Sequence, residues 1–179
     1  MKPLAKEIEA IGHTPYLFDY KSRSKTIEGH AEDLLELLET LDETPHFVTH
    51  SLGGLIVRAA LNHPRCPPKA KGGMIIMMAP PNRGSKTAHL LNHFPFIRAI
   101  FGSKVGWQLL NYREKEIEQL GPLPCCTIIA GSRDWKVRIA ETRPQNIHSH
   151  YVVKSGHCFI MRNKESLQIV KNQLSAKSD

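Results

Sequence analysis

Cysteine is scarce in this chain. Four thiols in 179 residues are too few for a disulfide-stapled secreted domain, and none stand in the Cys-x-x-Cys spacing of a zinc site. Cys66, Cys125, Cys126 and Cys158 are therefore expected to be reduced. Cys125 and Cys126, at the head of an apolar run, read as small core residues. Long apolar stretches are missing as well. None approaches the roughly 18–20 uninterrupted residues of a membrane span, and the amino terminus lacks the basic-then-apolar order of a secretory signal, so a soluble, cytoplasmic protein is the expectation. No phosphate-cradling glycine loop and no dinucleotide fingerprint occurs, and no cofactor is expected. The ten histidines include no His-Glu-x-x-His arrangement. His89 and His93 stand four apart on an expected helix, and His46 and His50 would share a face only if that segment were helical; neither pair brings a glutamate, so no metal site is expected. Lys and Arg outnumber Asp and Glu by 24 to 17. They are scattered, without the dense run that marks a nucleic-acid partner.

What is present is an alternation of helical and strand signals. Leu4, Ile8 and Ile11 share one helical face, and Gly12 is a natural stop. Residues 15–20 form an aromatic-rich run that reads as a strand. Ile27, Ala31, Leu34, Leu38 and Leu41 return to helical spacing, with Glu28, Glu32 and Asp33 near the helix start, where acids suit the dipole. A short strand over residues 46–49 leads into a helix over 52–62. Residues 73–79 (Gly-Met-Ile-Ile-Met-Met-Ala) are the nearly continuous apolar strand of a sheet covered on both faces. A mostly helical stretch to about Leu120 precedes strands at 125–131 and 149–153. A last helix spans 164–174, with Leu167, Val170 and Leu174 inward and Asn163 as cap. This order predicts one α/β domain over residues 1–179, three layers deep, with a mostly parallel sheet.

The sharpest feature is Phe47-Val48-Thr49-His50-Ser51-Leu52-Gly53-Gly54-Leu55, an apolar strand that breaks at a serine and resumes as a helix beginning with small residues. Such a turn lifts the serine hydroxyl above the sheet. The helix amino terminus adds partial positive charge, and the amide of Leu52 can donate to a developing oxyanion. Strand and helix crowd two residues either side of the serine. Gly53 meets that requirement, whereas Thr49 departs from it. An ordinary loop with an N-cap serine is the plainer alternative.

These residues resemble the nucleophile elbow of the α/β-hydrolase fold family, in its lipase and esterase branch. The resemblance implies a chain order of nucleophile, acid and base, the last two in loops after the final two strands. On that pattern Ser132-Arg133-Asp134-Trp135-Lys136-Val137 is similar to the acid loop, with Asp134 as the acid. Ser155-Gly156-His157-Cys158-Phe159 is similar to the glycine–histidine loop, with His157 as the base. Taken alone, a loop aspartate is more often a turn former, and Glu141 is the nearest rival acid. The implied activity is hydrolysis of a carboxylic ester through an acyl-enzyme on Ser51. The same residues would also serve an acyltransferase or thioesterase, or persist in a binding module without turnover.

The resemblance further places a helical cap over residues 86–120. Its apolar residues, among them Leu90, Phe94, Phe96, Ile100, Phe101 and Trp107, could line a pocket for an apolar acyl group, make weak contact with a membrane surface, or simply pack the cap onto the domain. In the family a strand ending in a His-Gly loop precedes the first helix and supplies a second oxyanion amide. Here Met1 already stands on that helix. The expectation is a truncated fold of about five strands, with residues 15–20 pairing directly with 46–49.

Overall fold

The computed structural model describes residues 1–20, 25–84, 117–122, 125–143 and 149–175. In chain order the elements are α1 (Lys2–Glu9), α2 (Ile27–Thr40), β1 (Phe47–His50), α3 (Leu52–Asn62), β2 (Ile75–Met78), β3 (Thr127–Gly131), a one-turn α4 (Ile139–Thr142), β4 (Ser149–Val153) and α5 (Lys164–Ser175), with short 3₁₀ turns at Pro68–Gly72 and Ile160–Arg162. The four strands form one sheet in the order β1-β2-β3-β4, and every neighbouring pair is parallel.

Successive side chains of a strand point to opposite faces, and the core divides accordingly. Ile75 and Met77 of β2 and Ile128 of β3 join Leu34, Leu35 and Leu38 of α2 and Leu55 and Ile56 of α3 in one buried cluster. Ile76, Met78 and Ile129 join Leu4 of α1 and Val170 and Leu174 of α5 on the opposite face. The result is three layers, helices on both sides of a parallel sheet. At roughly 1.5–3 kcal/mol for each large apolar side chain taken from water, these two clusters supply the main stabilisation. Local signals agree with the packing. Thr26 caps α2 by accepting from the Gly29 amide at 3.1 Å, and Asn163 caps α5 by accepting from the Ser166 amide at 3.0 Å. Lys171 of α5 reaches Glu7 of α1 at 2.9 Å, tying together the two helices of one face.

Two expectations need correcting. Residues 15–20 are not a strand, and the sheet has four strands among the described residues. The run carries strand-forming residues, but a strand exists only where its backbone finds a ladder partner. Here Phe18 and Tyr20 pack onto the core cluster beneath α2 instead, and Tyr20 lies against the His30 ring with centroids 5.0 Å apart. A cavity of about 610 Å³ is lined by both stretches, by Leu17, Phe18 and Tyr20 of this segment and by Val48 and His50 of β1. Cys125 is exposed rather than a core residue, whereas Cys126 is buried as expected. The proposed cap lies almost wholly outside the described residues, as do His89 and His93. No helix among the described residues is long and apolar enough to cross a membrane.

Candidate active site

All four strands run parallel, so their carboxyl ends share one edge of the sheet, where open α/β sheets hold their sites. Ser51 follows β1 directly. Its backbone has φ 52° and ψ −120°, a conformation that a residue with a side chain rarely adopts. Two bonds fix it. The Ser51 amide donates to Met78 of the neighbouring strand at 2.8 Å, and the Gly54 amide donates to the Ser51 carbonyl at 3.1 Å. The chain therefore leaves the sheet sharply and enters α3 with the hydroxyl projecting from the turn. Ala79, just after β2, also has a positive φ of 48°, which nothing in the sequence suggested.

Crowding at the turn falls on a different glycine from the one expected. A Cβ at Gly53 would meet Thr49 Cβ at 3.5 Å and the Tyr20 hydroxyl at 3.6 Å, ordinary contacts that explain why Thr49 is tolerated. A Cβ at Gly54 would meet Met77 Sδ and Pro80 Cβ at 3.2 Å each. Gly54 is the residue that lets α3 approach β2.

The loops that carry Asp134 and His157 are pinned to one another by backbone bonds. Ser132 donates to the Val153 carbonyl at 2.8 Å and Arg133 to the Ser155 carbonyl at 3.0 Å. Gly131 makes that approach possible, since a Cβ there would lie 2.5 Å from the Ser155 carbonyl oxygen. Asp134 turns inward and is buried. One carboxylate oxygen, Oδ1, accepts from the amides of Lys136 and Val137, each at 2.9 Å. The other, Oδ2, lies 2.7 Å from His157 Nδ1. His157 Nε2 in turn lies 3.0 Å from Ser51 Oγ.

This geometry assigns the protons. Ionised Asp134 only accepts, so His157 Nδ1 carries a hydrogen, and neutral His157 presents Nε2 as an acceptor to the Ser51 hydroxyl. Burial alone would raise the Asp134 carboxyl. The hydrogen bond from His157, the Val137 amide, the charge of His157 and the Lys136 amide outweigh it and hold the group below its ordinary value. Asp134 is thus an anion at neutral pH, able to fix the imidazole tautomer and to steady an imidazolium.

Of the residues singled out from sequence, Ser51, Asp134 and His157 come together although they are far apart in the chain. Leu52 is buried at the first position of α3, and its amide donates to no described residue. Glu141 does not join them: its carboxylate accepts from the Arg138 amide at 2.8 Å. Two other residues shape the site and escaped sequence reading. Gly131 looked like the end of a strand and no more. His50 belongs to the elbow motif and to the His46–His50 pair, neither of which points to its contact: its ring lies beside that of His157, with centroids 4.8 Å apart. Among the described residues no group of three or more potential ligands could hold a metal ion.

No family model matches the chain, and no curated protein matches it by sequence. Solved structures do. The mature form of a lipase from Bacillus licheniformis matches with a TM-score of 0.62 at 16% identity, over 84% of this chain and 75% of that one. A monoacylglycerol lipase from Paleococcus ferrophilus gives 0.62 at 16% identity, over 97% and 87%. A structure from work on carboxylesterases of Nitrososphaera gargenis gives 0.56 at 18% identity, over 87% and 74%. At these identities the likeness is one of fold.

Proposed function

From the α/β-hydrolase fold that this chain adopts, we propose that it is a serine hydrolase that cleaves a carboxylic ester, with Ser51 as nucleophile, His157 as general base and Asp134 as the acid that orients it. The observation that carries this reading is the unbroken relay from Asp134 Oδ2 through the His157 ring to Ser51 Oγ, at 2.7 and 3.0 Å. A serine hydroxyl is a weak nucleophile at neutral pH, and a positioned imidazole is the usual remedy. In the proposed cycle His157 Nε2 takes the hydroxyl proton as Oγ attacks the carbonyl carbon. The oxyanion so formed accepts from the Leu52 amide. Collapse expels the alcohol, which takes the proton from His157 and leaves an acyl group on Ser51. Water then attacks the acyl carbon, giving its proton to His157, and the acid leaves as that proton returns to Ser51.

An ester is the favoured substrate class because the structural neighbours include a lipase, a monoacylglycerol lipase and a structure from work on carboxylesterases. The preference for an apolar acyl group rests on the bulky residues between 90 and 110. One observation speaks for the competing reading, a binding module with impaired turnover: no second strand flanks β1 among the described residues, and Leu52 is the one oxyanion donor that can be named there. Losing a single donor costs ~10²–10³ in rate.

The test is labelling with a fluorophosphonate followed by peptide mapping, alongside turnover of a short-chain aryl ester. The adduct is expected on Ser51, and both adduct and turnover should vanish in Ser51→Ala. Label on another serine, or undiminished turnover in Ser51→Ala, overturns the assignment. Label on Ser51 without measurable turnover favours the binding module.

A further inference from the structure

One polar side chain at the site takes no part in the cycle above. His50 is the last residue of β1, directly before the nucleophile. Its Nε2 lies 2.9 Å from the backbone carbonyl oxygen of His157. A carbonyl can only accept, so the His50 proton must sit on Nε2 and point at the backbone of the base. The His50 ring is also packed against the His157 ring at an interplanar angle of 51°. One side chain thus touches the base twice, at its main chain and at its imidazole.

We propose that His50 is a positioning residue of the Ser51–His157–Asp134 relay: by donating Nε2–H to the His157 carbonyl it ties the loop that carries the base to the strand that carries the nucleophile. The inference rests on the serine-hydrolase reading above. Its physical content is that the relay joins three separate pieces of backbone, and each piece needs its own anchor. Ser51 is anchored to β2 through the Met78 carbonyl, and the acid and base loops are anchored to one another through the Val153 and Ser155 carbonyls. Those bonds hold the loop on the approach to His157. Beyond it, Phe159 bonds back to Gly156 within the same loop, and Cys158 and Phe159 are exposed. The bond from His50 spans the remaining gap, between β1 and the base itself.

The surroundings keep the role available throughout the working range. Burial, reinforced by the neighbouring His157, pushes the His50 ring down to about 4. It stays neutral at physiological pH, and so it adds no positive charge beside the imidazolium that His157 becomes during attack.

The experiment uses two substitutions that share an amide but differ in reach. In His50→Gln the side-chain N–H can take the place of Nε2, whereas in His50→Asn it falls short at the place of Nδ1. A displacement of the base of around 1 Å is worth up to about a hundredfold in rate. The expected result is therefore a fall in kcat of ~10–100-fold for Asn with KM little changed, and recovery of most of that loss by Gln. Melting temperatures of both variants serve as the control, because a purely structural role would lower stability and activity together. Equal kcat in the two variants, or a loss confined to KM, overturns the proposal. So does a fall in kcat that follows the melting temperature. If wild-type protein carries no fluorophosphonate on Ser51, the serine-hydrolase reading itself has failed. Wild-type labelling and turnover with indifferent Asn and Gln variants removes the role of His50 alone.

Discussion

Replacing Asp134 by asparagine tests the relay most sharply, because it changes one charge and hardly any volume. In the native site one carboxylate oxygen holds the Lys136 and Val137 amides and the other holds His157 Nδ1–H. An asparagine oxygen can keep both backbone bonds, and the loop should hold its shape. The amide nitrogen must then face His157, and a donor there is satisfied only if Nδ1 gives up its hydrogen. The imidazole adopts its other tautomer, Nε2 gains the proton, and Ser51 loses its acceptor. The same exchange in the chymotrypsin triad costs ~10⁴ in kcat, about 5 kcal/mol of transition-state stabilisation, and a similar loss is expected here. Stability should move far less. Loss of a hydrogen bond to a charged group is worth about 1.5–3 kcal/mol, partly recovered by the new bond from the asparagine amide to Nδ1. Acid behaviour adds an independent check. The folded-state carboxyl lies below its unfolded value, so its stabilisation is complete above the unfolded value and disappears as pH falls through the folded one. The amide of the Asp134→Asn variant has no such dependence, and the gap in melting temperature between the two proteins should close in acid. The assays are hydrolysis of a short-chain aryl ester and thermal denaturation across acid pH. Near-normal turnover in Asp134→Asn, or a crippling effect of Glu141→Gln in its place, would refute the argument.

Two further outcomes follow from the elbow. Ser51 is held at a positive φ that glycine adopts without strain, so Ser51→Gly should unfold at a higher temperature than Ser51→Ala, by the equivalent of ~1–2 kcal/mol of released strain, with both inactive. Equal melting temperatures would mean that the turn stores no strain. Gly53→Ala should raise stability by up to ~1 kcal/mol through helix propensity, since its Cβ meets only ordinary contacts. Gly54→Ala should lower stability by ~1–3 kcal/mol, because Met77 and Pro80 must yield. The reverse order in differential scanning calorimetry would contradict the packing described for the turn.

Much of the frame could be read from periodicity, because most elements bury one face in a common core. The helix over 52–62 and the strand over 149–153 have the bounds expected of them, and Asn163 caps α5 as expected. Residues 15–20 show where such reading stops. Their composition favours a strand, but strand formation depends on a partner elsewhere in the chain, and local sequence carries no information about that partner. Gly54 illustrates a second barrier. Two adjacent glycines look alike in sequence, and only the direction of each Cα relative to Met77 and Pro80 separates them. His50 illustrates a third: its contact is with a backbone carbonyl 107 positions away, and a carbonyl has no signature in the sequence.

β1, which leads into Ser51, has a partner on one side only among the described residues, and its Val48, Thr49 and His50 line the same cavity as Tyr20. A central strand would be held by ladders on both edges. Here the elbow must take its rigidity from β2 and from α3. The register Phe47↔Ile75 through His50↔Met78 supplies the first, and the buried residues Leu52, Leu55 and Ile56 supply the second. Strain at Ser51 survives only where surrounding contacts over-determine it. Among the described residues those contacts lie on the β2 side of β1 and in α3. From the end of β1 the His50 side chain reaches across to the His157 backbone carbonyl at 2.9 Å.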